Sequence, residues 1–153
     1  MQIASTPDSQ GGIRVDLTAS RFTHDLLITG TQHSDWVRVD HVTAGGDIRA
    51  SLGDEIDNSK EFDETWVQYT TAKSDLRVAS GNGIGKTYLD HCTATNVQVL
   101  FGDSSGDLAY VTDCKFHSSY FDGDNGTGDT LIVLRNLFDT KPIAIRWEVI
   151  KWG

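Results

Sequence analysis

The sequence predicts an all-β fold, a short single-domain right-handed parallel β-helix of about six coils. Three observations carry this reading. Segments of one pattern lead off at Val39, Val67, Leu89, Val111 and Val133, and the last three steps between them are each 22 residues. A second short alternating stretch follows every such segment, so strands of period two sit inside the 22-residue repeat. The composition agrees: among 153 residues there are 15 Gly and only 2 Pro, and 38% are hydrophobic, which suits many short strands joined by turns. A β-sandwich is the chief rival, since short strands with regular turns also describe it.

Along the chain, residues 1–12 read as a polar N-terminal arm, 13–147 as the β-helix and 148–153 as a tail or cap. Val15 opens a degenerate first coil, 24 residues before Val39. Val39-Asp40-His41-Val42-Thr43-Ala44 begins the next and is followed by Ile48, Ala50 and Leu52. The step to Val67 is 28 residues, and the surplus lies in Asp54–Phe62, an excursion from a turn. Val67, Leu89 and Val111 lead three further coils, whose second stretches carry Leu76 and Val78, Val97 and Val99, and Ser119 and Phe121. Val133 leads the last, with Ile143, Ile145 and Trp147 in its second stretch. Gly53, Gly81, Gly102 and Gly123 mark the turns that close the coils. At about 4.8 Å per coil, the body is a stub of roughly 25–30 Å whose ends need a cap or a partner. The amphipathic run from Trp147 to Trp152 either covers the last coil or reaches a neighbouring subunit.

Three residues after each leading position stands a column of Val42, Thr70, Cys92, Cys114 and Asn136. Stacked parallel strands hold the two Cys Cα atoms about 5 Å apart, within disulfide range. Both are expected to point into the core as reduced, structural thiols. His41, Tyr69, His91, Asp113 and Arg135 share the adjoining column at a bend and read as surface polar residues. Trp66, Tyr88 and Tyr110 each precede a leading residue, which predicts an outward aromatic ladder that either stabilises the coil surface or serves ligand or subunit contact.

The repeat resembles the right-handed parallel β-helix superfamily, whose members include pectate-lyase-like enzymes, phage tailspikes and other virion proteins. The resemblance covers residues 13–147 and rests on repeat geometry, so it implies a fold and not an activity. In that superfamily the corresponding bend often carries stacked Asn; here only Asn136 keeps it. The leucine-rich-repeat signature is absent.

Several chemistries are disfavoured. A net charge of −9, spread along the chain, argues against nucleic acid and acidic membranes. No apolar run reaches the length of a membrane span. Ser80-Gly81-Asn82-Gly83-Ile84-Gly85-Lys86-Thr87 imitates a phosphate loop, but the first Gly position is Ser and a strand pattern follows. Asp122–Asp129 imitates a calcium loop, with Gly126 where a third oxygen ligand is wanted and Val133 at the closing Glu position. Five His residues, at 24, 33, 41, 91 and 117, show no zinc spacing, so no metal or cofactor is expected.

A glycosidase needs two carboxyls across the scissile bond. The outward positions of the sheet before the Gly turn, from Arg49 through Ala144 and Arg146, hold none, although Asp103 and Asp122 lie just past strand ends. The stiff solenoid, polar arm, aromatic ladder and amphipathic tail suit a non-catalytic structural protein, and the resemblance implies a viral or phage virion component: a capsid decoration (cement) protein or short spike module. It would act through subunit contacts at Trp66, Tyr88, Tyr110, Trp147 and Trp152. The resemblance implies a homo-oligomer, a trimer foremost, bound to other virion proteins such as a capsid protein. The start of the chain lacks the basic and apolar regions of a signal peptide, so the expected place is a virion made in the host cytoplasm. The alternative is a carbohydrate-binding or polysaccharide-degrading module, with Arg49, Arg77, Asp103 and Asp122 meeting sugars beside the aromatic ladder. End-to-end stacking is a third reading; it requires open ends, and the charged excursion and the tail argue against it.

Overall fold

A computed structural model describes residues 1–4, 11–54 and 62–153. The chain is a parallel β-solenoid of about six turns, and no helix occurs among the described residues. Every strand ladder among the described residues is parallel, which excludes the antiparallel sandwich. One sheet stacks seven strands in chain order: Arg14–Thr18, Trp36–Asp40, Phe62–Gln68, Ile84–Asp90, Leu108–Thr112, Thr130–Leu134 and Val149–Trp152. The other sheet wraps a bend. Its two parts are separate strands in the early coils, as in Thr43–Ala44 and Ile48–Ser51, and fuse into Thr93–Leu100 and Lys115–Asp122 later.

Apolar residues stack on themselves from coil to coil. Val39, Val67, Leu89, Val111 and Val133 form one register column, all buried. The first coil is regular, which corrects the expectation for its start. Leu17, and not Val15, pairs with Val39, one 22-residue step on, while Val15 pairs with Val37. Both apolar residues point inward on the same strand, so alternation alone does not say which of them leads. Of the 54–62 excursion, residues 55–61 lie outside the described residues; Phe62 already belongs to a strand.

The last coil departs from the expected phase. Tyr120 pairs with Ile143 and Phe121 with Ala144, a step of 23 residues. Ala144 therefore packs against the core while Ile143 and Ile145 are 53% and 38% exposed. A one-residue slip turns every side chain of a strand over, and here it places two isoleucines in solvent. Arg146 adopts a left-handed backbone (φ +59°), after which Trp147 returns inward. The Trp147 ring meets Phe101 edge-on at 5.5 Å.

Two hydrogen-bonded ladders hold the coils together. The first is the expected column. Asn136 Oδ1 accepts Cys114 N–H at 2.8 Å, and Asn136 Nδ2 donates to Val111 O at 2.8 Å. Thr70 repeats both contacts, accepting Val42 N–H and donating to Val39 O, each at 3.3 Å. Cys92 Sγ donates to Val67 O at 3.1 Å, and Cys92 N–H donates to Cys114 Sγ at 3.3 Å. Thr and Cys thus imitate an Asn ladder with single-atom donors and acceptors. Both cysteines are free and buried, and hydrogen bonding to Cys114 together with burial holds the Cys92 thiol well above its ordinary pKa.

The second ladder consists of buried carboxylates where the chain enters the seven-stranded sheet. Asp35 Oδ1 accepts Ile13 N–H at 2.8 Å, Asp63 Oδ1 accepts Asp35 N–H at 2.9 Å, and Asp129 Oδ1 accepts Asp107 N–H at 3.0 Å. All four aspartates are at most 1% exposed. Gly85 interrupts the column: it pairs with Asp63, and its N–H donates to Asp107 Oδ1 at 2.7 Å. A Cβ at Gly85 would lie 2.3 Å from the Phe101 ring, so that ring fills the space an aspartate side chain takes elsewhere.

Candidate functional site

The outward face of the seven-stranded sheet carries the aromatic column. Trp66 pairs with Tyr88 and Tyr88 with Tyr110. Strand alternation turns all three outward because their neighbours, such as Val67 and Leu89, fill the core. Trp66 and Tyr88 stack with ring centroids 3.9 Å apart and planes 13° from parallel. Beside them a groove of about 400 Å³ is lined by Trp66, Tyr88, Tyr110, Gln68, Asp90 and Thr112. Burial, and the charge of Glu64 after it, raises the Tyr88 pKa, so the phenol stays neutral at physiological pH.

The bend column is more ordered than a row of surface polar residues. Ala19, His41, Tyr69, His91, Asp113 and Arg135 all adopt positive φ, between +47° and +55°. His41 stacks on Tyr69 at 4.8 Å and Tyr69 on His91 at 4.7 Å. Asp113 then meets Arg135, whose Nε donates to Oδ1 at 2.9 Å. Asp90, His91 and Asp113 bring three potential metal-ligating atoms within 4.8 Å of one another. The fit to a cation is poor. Arg135 and the Thr112 hydroxyl already donate to the Asp113 carboxylate, and they hold its pKa at about 2. His91 Nδ1 is spent on Asp90 Oδ1 at 2.9 Å.

The remaining sugar-contact candidates do not converge. Arg49 stands beside Arg77 in register, and Arg49 pairs with Asp47. Asp103 accepts from Asn125 Nδ2 at 3.0 Å. Burial acts to raise the Asp122 pKa, but hydrogen bonds from Arg146, Asp124 N–H and the Tyr120 hydroxyl prevail and hold it below the usual carboxylate value. The 122–129 segment is likewise committed, because Arg146 Nη1 also lies 2.8 Å from Asp124 Oδ1. The 80–87 segment leads into the strand Ile84–Asp90, not into a helix.

The C-terminal end of the solenoid gathers several exposed apolar side chains. Val149–Trp152 pairs in register with Thr130–Val133, so the tail covers the last coil on this sheet and itself becomes the outermost strand among the described residues. Ile150 and Trp152 fall on the core positions of Leu131 and Val133 but are 38% and 52% exposed. Beside them lies a concavity of about 470 Å³, lined by Val133, Asn136, Phe138, Lys141, Pro142 and Trp152. Leu137 adds a further side chain that is 57% exposed. Trp147, by contrast, is turned into the core, and its Nε1 is buried without an acceptor among the described residues.

Comparison with protein-family models, curated proteins and solved structures finds no match, so these surfaces are read from their own residues.

The sequence alone locates the aromatic column and the ladder. It misses the slip that exposes Ile143 and Ile145, because the apolar alternation on either side looks continuous.

Proposed function

We propose that the protein is a non-catalytic structural component that acts through subunit contacts, with the C-terminal end of the solenoid as its main contact face. One observation carries this: Ile150 and Trp152 occupy core positions yet stand open to solvent beside an apolar concavity. Apolar surface gathered at one end, on an unpaired sheet edge, favours association. The carboxylates that a hydrolase would need support the same reading, since Asp122 is held by Arg146 and Asp103 by Asn125. The aromatic column supports it too. Trp66 and Tyr88 each cover one face of the other, which takes up surface that sugar stacking would use.

The finer reading is a virion component, a capsid decoration protein or short spike module, and a homotrimer is what the superfamily resemblance implies. The test is solution mass by light scattering behind a sizing column. Self-association above the monomer is expected. A monomer at every concentration, together with glycan binding at Trp66 and Tyr110, would overturn the structural reading in favour of a carbohydrate-binding module.

A further inference from the structure

The two ends of the solenoid are stepped in opposite senses. At the N-terminal end, Gln2–Ala4 adds a strand to the bent sheet beyond Leu26–Thr29, while Arg14–Thr18 is the last strand of the seven-stranded sheet among the described residues. At the C-terminal end, the seven-stranded sheet extends by Val149–Trp152, while Ile143–Ile145 is the last strand of the bent sheet among the described residues. Each end thus carries half of a coil, and the two halves lie on different sheets.

We infer that the partner of the C-terminal end is the N-terminal end of a second copy of this chain, joined head to tail so that the two half-coils share one level. This inference rests on the structural reading above and names the partner. In the joint, Val149–Trp152 of one copy pairs with Arg14–Thr18 of the next. Gln2–Ala4 of that next copy pairs with Ile143–Ile145 of the first. Both new ladders are parallel, as all those within the chain are.

The side chains match when the register columns are continued across the joint. Leu131 pairs with Ile150 and Val15 with Val37, so Ile150 of one copy falls on Val15 of the next, both core positions. Trp152 falls on Leu17, and Ala144 on Ile3. The one outward pair with charge on both sides is complementary. Asp16 begins the column that runs through Arg38, Trp66, Tyr88, Tyr110 and Ile132 to Lys151. Lys151 of one copy therefore lies over Asp16 of the next. A joint between two C-terminal ends would leave Asp16 without this partner.

The test measures self-association by sedimentation velocity for the full chain and for three variants, with melting curves to confirm folding. Asp16→Lys and Lys151→Asp each place like charges across the joint, and each is expected to weaken association about fivefold. A mixture of the two puts opposite charges at both kinds of joint and is expected to restore association. Ile150→Arg sets a charge into the joined core and is expected to weaken association more than tenfold. Association that ignores all three variants overturns the head-to-tail joint while leaving a structural role in place. Association weakened by Lys151→Asp and Ile150→Arg but not by Asp16→Lys points to a different partner for that end and equally overturns it. A monomer at roughly 0.1 mM chain would remove both the joint and the structural reading.

Discussion

Asn136 reaches across one coil to Cys114 and satisfies two backbone groups at once. Its Oδ1 takes the Cys114 N–H at 2.8 Å while its Nδ2 gives to Val111 O at 2.8 Å. Cys114 is buried, so its N–H has no water to turn to if the acceptor is removed. Asn136→Ala is expected to cost about 1–3 kcal/mol, read as a lower urea midpoint with an unchanged slope. Cys114→Asn is expected to be tolerated within roughly 1.5 kcal/mol, because that column already uses Asn one coil on. A collapse of folding in this variant would contradict the ladder.

The two thiols give a kinetic readout of the same column. Cys92 and Cys114 are 1% and 2% exposed, and Cys92 is held well above its ordinary pKa, so little thiolate forms at neutral pH. A disulfide-exchange reagent is expected to label neither in the native protein and both in denaturant. Fast native labelling would show that the column opens independently of the fold.

Gly85 and Phe101 form a pair whose coupling can be measured. A methyl at Gly85 would stand 2.3 Å from the Phe101 ring and 2.9 Å from Ser80 Cβ. Gly85→Ala is expected to destabilise by about 1–3 kcal/mol through overpacking. Adding Phe101→Leu is expected to recover part of that loss, which would appear as a favourable coupling in a double-mutant cycle. Simple additivity would mean that the ring does not fill the missing aspartate's place.

Asp113 makes a prediction about acid. Its pKa is lowered to about 2, first by the hydrogen bond from Arg135. The folded-state value lies below the unfolded one. The contribution is therefore present above the ordinary carboxylate range and is lost as pH falls through the folded value, between about 4 and 2. Following the Asp113 carboxyl carbon by NMR should give an inflection near 2. In Arg135→Gln the inflection is expected to move up toward the ordinary value. An unchanged inflection would assign the shift to another group.

Ala19 reverses the usual sign of a glycine substitution. It is exposed and holds φ +48°, where a Cβ costs about 1 kcal/mol and glycine costs little. Ala19→Gly is expected to raise the melting temperature by about 2–4 °C. A decrease would mean that the corner is not held in this conformation in solution.

The repeat is legible in the sequence wherever like residues recur at one spacing. The leading column from Val39 to Val133 and the Trp66–Tyr88–Tyr110 face follow from that alone. Three features are not legible in this way, each for a physical reason. The aspartate ladder puts charged side chains where a core residue is expected, and Gly85 breaks its recurrence. The slip at Ile143 needs only one extra residue, and the apolar pattern on either side looks the same in both phases. The left-handed corners carry His, Tyr, Asp and Arg, where that backbone normally announces itself by Gly or Asn.

Those six corners have a consequence for how the surface can change. Because the bend is set by the backbone and by the inward ladder beside it, a corner side chain contributes little to the bend itself. It must only avoid branching at Cβ, which that conformation does not tolerate. The corner row from Ala19 to Arg135 is thus a printed line of six characters at one fixed pitch. From His41 onward its text now reads from stacked rings to an ion pair. Mutation can rewrite such a line character by character while the page beneath it stays the same.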